Sequence, residues 1–80
     1  MKVTQFDVKN QFIISNEGAT YFQSYNSVIA KREGEQVILD ERYWDYSRTT
    51  GKYRNRFLNE TKKDTQRKID SGEYKLANLN

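Results

Sequence analysis

The pattern of apolar and polar positions over residues 1–40 reads as strand and turn, with stretches of two-residue alternation, the period of a pleated strand. Phe6 and Val8 share a face within Lys2–Val8, and Lys9-Asn10 is a tight turn into the apolar run Gln11–Ser15. Asn16-Glu17-Gly18 then reverses the chain. From Ala19 to Arg32 the alternation sets Phe22, Val28 and Ala30 on one side and Tyr21, Tyr25 and Ile29 on the other, with a bend or bulge at Asn26-Ser27. Glu33-Gly34 turns the chain again, and the β-branched run Gln36–Asp40 pairs back antiparallel. The pattern predicts about four strands in a meander, whose apolar face needs a cover.

The period lengthens after residue 47. Ser47, Thr49 and Thr50 are each fair N-caps, and Tyr53, Phe57 and Leu58 then make one buried stripe over Lys52–Leu58. Gly51 weakens that helix by about 1 kcal/mol relative to Ala. A second helix opens at Thr61, with Asp64 three residues on in capping-box position, and stops at Ser71-Gly72. Within it Asp64 is spaced to pair with Lys68, and only Thr65 and Ile69 face a core. Tyr74 and Leu76 then share one side of the tail, which fits a last short strand or a packed coil. The predicted class is α+β: a small antiparallel sheet, two short helices and a short C-terminal strand, in one domain spanning residues 1–80. No repeat or Pro-rich linker breaks it.

Composition narrows the chemistry. Among 80 residues there is no Cys and no His, which removes disulfides, thiolate zinc sites and the usual imidazole base. No metal and no cofactor is expected. No apolar run approaches the roughly 18 to 20 residues of a membrane span, and Met1–Asp7 lacks the apolar centre of a signal peptide. A soluble, cytosolic protein without a membrane partner is therefore expected. The net charge of +3 is unevenly placed: residues 1–40 carry −1, residues 41–80 carry +4.

Most of that excess gathers in Arg42–Leu58, which holds the single Trp, three of the six Tyr and five of the 14 Lys and Arg, against one acid, Asp45. Rings interleaved with guanidinium groups suit phosphates, bases or acidic protein faces, one side chain stacking while its neighbour donates. If the first helix reaches back to Arg48, then Arg48, Lys52 and Arg56 form one column, with Tyr53 and Phe57 about a quarter turn away and Arg54 pointing elsewhere. The candidate binding residues are Arg48, Lys52, Arg54 and Arg56 with Tyr43, Tyr46 and Tyr53. The competing readings are a column neutralised by the chain's own carboxylates, and Trp44 as an anchor of the core. If the strand continues past Asp40, Tyr43 and Tyr46 are the better candidates for an exposed stacking face. Asp40, Glu41 and Asp45 come close enough to suggest metal binding or acid-base work. Arg42 and Arg48 flank them, however, and no phosphate loop or nucleophile elbow accompanies them, so an enzyme is not expected.

Three stretches carry a resemblance: Tyr21–Lys31, Leu39–Leu58 and Ser71–Leu76. Together they resemble a family of short proteins encoded by bacteriophages and related mobile elements, over roughly residues 20 to 80. The resemblance implies a phage accessory protein in the bacterial host cytoplasm, of the kind that inhibits host defence, anti-CRISPR proteins among them, or modulates host nucleic-acid machinery. Many such inhibitors imitate DNA with an acidic surface, and the basic second half of this chain departs from that pattern. The expected function is thus a non-catalytic inhibitor of a host protein or nucleoprotein, acting through a basic and aromatic surface. A stand-alone DNA- or RNA-binding protein is the alternative, and an assembly protein acting by self-association is the third reading; the pattern does not fix the oligomeric state.

Overall fold

A computed structural model describes residues 2–6 and 8–80. Six strands form one sheet in sequential order: β1 (Lys2–Gln5), β2 (Gln11–Asn16), β3 (Ala19–Ser24), β4 (Ser27–Glu33), β5 (Gln36–Asp40) and β6 (Lys75–Ala77). The first five make an antiparallel meander, and β6 joins β5 in parallel, with Leu39 opposite Leu76. Between β5 and β6 run α1 (Arg48–Leu58) and α2 (Lys62–Asp70). A parallel neighbour needs such a crossover, because a tight turn can only return the chain antiparallel. Asp7, within the first expected strand, lies outside the described residues.

The largest departure from the sequence pattern is in Ala19–Arg32. It is not one bent strand but a hairpin, in which Ser24 faces Ser27 across Tyr25-Asn26. The bulge falls further on: Gln23 pairs with Val28 and Phe22 with Ala30, leaving Ile29 unopposed. That extra residue lets Ile29 join Phe22 and Ala30 in the core, whereas strict alternation sends it outward. Val28 is half-buried and pairs with Gln23, on the side away from Phe22.

Helix α1 covers one face of the sheet. Its Tyr53, Phe57 and Leu58 meet Phe22, Ile29, Ala30, Val37 and Leu39, with Phe22 and Phe57 stacked at 5.9 Å. Ser47 is its N-cap, accepting from the Thr50 amide at 3.1 Å. Arg32 of β4 lays its guanidinium 4.8 Å from the Phe57 ring centre and donates to the Phe57 carbonyl, so its stem extends the cover.

Helix α2 is held by polar contacts. Thr61 and Asp64 form a reciprocal capping box. Asp64 pairs with Arg67 at 3.6 Å, not with Lys68, because Lys68 is drawn to Glu60 at 2.8 Å. The Glu60 carboxylate also accepts from Thr65 Oγ1 at 2.5 Å and from the Tyr74 hydroxyl at 2.8 Å. Burial pushes the Glu60 carboxyl up, but the three donors outweigh it and hold it below the ordinary value. Asp40 does comparable work at the end of β5. Its Oδ2 accepts the Arg42 and Tyr43 amides at 3.0 and 2.8 Å, while Oδ1 takes the Leu79 amide at 2.8 Å and Asn80 Nδ2 at 3.0 Å.

Candidate functional site

The carboxylate of Asp40 decides the path of the next five residues. By accepting two successive amides it caps a turn of helical hand, in which the Trp44 amide bonds the Asp40 carbonyl at 3.0 Å and the Tyr46 amide the Tyr43 carbonyl at 3.2 Å. The strand therefore ends at Asp40 and does not carry Tyr43 and Tyr46 in alternation with Trp44. Three residues apart on a turn, the two tyrosines come together instead, in an edge-on contact at 5.7 Å. Tyr46 is 67% exposed and Tyr43 half-buried. Trp44 is half-buried and packs against the core.

Helix α1 sorts its cations by depth. Arg48, Lys52 and Arg56, four apart, are exposed as one column. Arg54 is not a surface residue: it is 1% exposed. Its Nη1 donates to the Trp44 carbonyl at 2.7 Å and pairs with Asp45 at 3.3 Å, its Nη2 donates to Asn55 Oδ1 at 3.0 Å, and the guanidinium lies 5.2 Å from the Trp44 ring centre. A partner reaches Arg54 only through the side chains around it. Tyr53 is likewise buried in the core.

Arg48, Lys52 and Arg54 line an open groove with Lys62 from α2, together with Asp45, Ser47, Gly51 and Asn55. Four cations thus face one carboxylate. Asp45 is already engaged twice, by Arg54 and by Lys62 at 2.8 Å. Burial raises its carboxyl, yet hydrogen bonds and charge from Lys62 and Arg54 leave it below the ordinary value, so it stays ionised at neutral pH. Arg48 and Lys52 have no carboxylate partner among the described residues. Arg56 lies one turn on, over the rings of Phe6 and Tyr53 at 5.4 and 5.5 Å, and does not line the groove. Lys62 is the member that sequence reasoning missed, since only the turn between the helices brings it to α1.

A second groove adjoins the first. Tyr25, Tyr43 and Tyr46 line it with Ser24, Asn26, Ser27 and Ile29. Tyr46 faces this groove while its chain neighbours Asp45 and Ser47 line the basic one, so a single stretch of backbone separates the two. Ser24 and Thr50 tie the β3–β4 turn to α1 by a buried hydroxyl pair at 2.9 Å. Tyr25 sits at φ 56°, left-handed backbone that costs a non-glycine residue about 1–2 kcal/mol. Its ring is half exposed.

What the arrangement can do chemically is hold anions and stack on flat rings. Among the described residues no group of three or more carboxylates, His or Cys converges to hold a metal ion. No described helix is long and apolar enough to cross a membrane. Residues 1–73 match the model of a family of unknown function, DUF8033. No curated protein and no solved structure matches the chain.

Proposed function

We propose, for a chain that belongs to the DUF8033 family of unknown function, a non-catalytic binding role in which the groove beside α1 takes an anionic partner. The supporting observation is the imbalance of that groove: Arg48, Lys52, Arg54 and Lys62 against Asp45 alone. Arg48 and Lys52, four apart on one helix face and without a carboxylate partner among the described residues, repel each other mildly, and a bound anion relieves that repulsion. The resemblance to phage-encoded proteins extends the reading: the partner is a component of host nucleic-acid machinery, and occupancy of this surface inhibits it. Both oxygens of Asp40 are spent on backbone and Asn80 donors, which leaves that carboxylate poorly placed for acid-base work.

Binding of fluorescent single-stranded DNA and RNA, measured against salt, tests the proposal. About three phosphate contacts give a slope near −2 in log K against log salt, or roughly tenfold to twentyfold weaker binding between 50 and 200 mM. Reversing Arg48 and Lys52 to Glu is expected to abolish binding while the fold is retained, since both side chains are exposed. Should the doubly reversed protein bind every anionic probe as the parent does, the groove is not the site.

A further inference from the structure

We propose that Tyr25, Tyr43 and Tyr46 form a shelf on which the bases of a single-stranded nucleic acid stack while its phosphates lie in the α1 groove; this rests on the anionic-partner reading above. Three tyrosines from two separate loops converge on one groove. None of their hydroxyls is hydrogen-bonded among the described residues, so the phenols are not there to satisfy a polar network. Tyr25 is also out of place for its backbone. A turn at positive φ suits Gly or Asn, Asn26 stands next to it, and yet the bulky ring occupies the left-handed position and remains half exposed. Local stability argues for the opposite order of residues; presentation of a ring argues for the observed one.

The kind of partner follows from the lining. No carboxylate lines the tyrosine groove, and four cations line the groove across the Asp45–Ser47 backbone. Flat rings beside a cationic track match a strand with bases on one side and phosphates on the other. In a duplex the base faces are already stacked on one another, so the shelf selects unpaired bases. Asn26 and Ser27 supply short polar groups that tolerate any base edge, consistent with stacking that does not read sequence.

The test compares a short oligothymidylate and oligouridylate with an abasic phosphodiester strand of equal length, on the whole chain. The base-bearing strands are expected to bind at least tenfold tighter than the abasic one. Y46A and Y25N are expected to remove that preference, roughly tenfold for each ring, without changing abasic binding; Y25N is expected also to raise the melting temperature. A preference for only one of the two base-bearing strands identifies DNA or RNA as the ligand. Equal binding of base-bearing and abasic strands overturns the shelf and leaves the groove reading standing. Binding of none of them overturns the shelf and leaves an acidic protein face as the anionic partner of the groove. Sedimentation that reports a dimer dispersed by Y46A shows that the rings meet a second copy instead, and also overturns the proposal.

Discussion

The guanidinium of Arg54 lies 5.2 Å from the centre of the Trp44 ring and donates to the carbonyl of that same residue at 2.7 Å. One side chain thus fixes both the ring and the backbone of the turn that leads into α1. The charge that the sequence offered as a candidate binding residue is the post on which the Tyr43–Tyr46 loop is hung.

Replacing Arg54 by Met keeps volume but removes three hydrogen bonds and the partner of Asp45. We expect a loss of about 3 kcal/mol, typical of breaking a buried ion pair from one side, read as a lower urea midpoint. The exposed neighbours Arg48 and Lys52, changed to Met, are expected to shift the midpoint little. Equal effects at the three positions would contradict the sorting by depth.

Gln11 presents the opposite case. It is fully buried on β2 opposite Ser24, and among the described residues neither its Oε1 nor its Nε2 has a hydrogen-bond partner. Desolvated amide atoms of this kind cost about 1–3 kcal/mol. Gln11→Met, of similar length, is therefore expected to stabilise the protein by about 1 kcal/mol in urea unfolding. An unchanged or lowered stability would mean that the amide is satisfied in solution.

Acid should unfold the protein through Asp40, Asp45 and Glu60. Each is partly desolvated by the fold, which pushes its carboxyl up, and each is carried below its ordinary value by hydrogen bonding or charge that together outweigh this. A depressed folded value contributes stability that is complete above the unfolded value, near pH 4, and is lost as pH falls through the folded one. Urea midpoints are expected to be flat from about pH 7 to 5 and to fall below about pH 4. Asp40→Asn is expected to lower the neutral plateau and flatten the acid limb; an acid limb as steep as the parent's would remove Asp40 from this role.

Local signals in the sequence reached the right elements. Two-residue alternation marks the meander, Ser47 as one of three candidate caps and Thr61 mark the helix starts, and Tyr53, Phe57 and Leu58 mark the stripe that docks α1. The failures lie where a tertiary contact overrides a local rule. Tyr25 conceals a hairpin because a Tyr at positive φ is not a turn signal. Three-residue β6 pairs with a strand more than thirty residues away, and pattern alone does not assign such a partner. Arg54 was read as a surface cation because a charged residue on a short helix usually is one, whereas Trp44 and Asp45 draw it in. Of the candidate site, Arg48, Lys52 and Tyr46 are exposed as their patterning suggested, Tyr53 is core, and Lys62 and Tyr25 join only through the fold.

Titration of the isotopically labelled protein with an unlabelled oligothymidylate, followed by amide and side-chain NMR shifts, tests the central claim most directly. Shifts concentrated at Tyr25, Tyr43, Tyr46, Arg48, Lys52 and Lys62 are the predicted result. Shifts confined to β1 or to the outer face of α2, or no shifts at saturating strand, would contradict it.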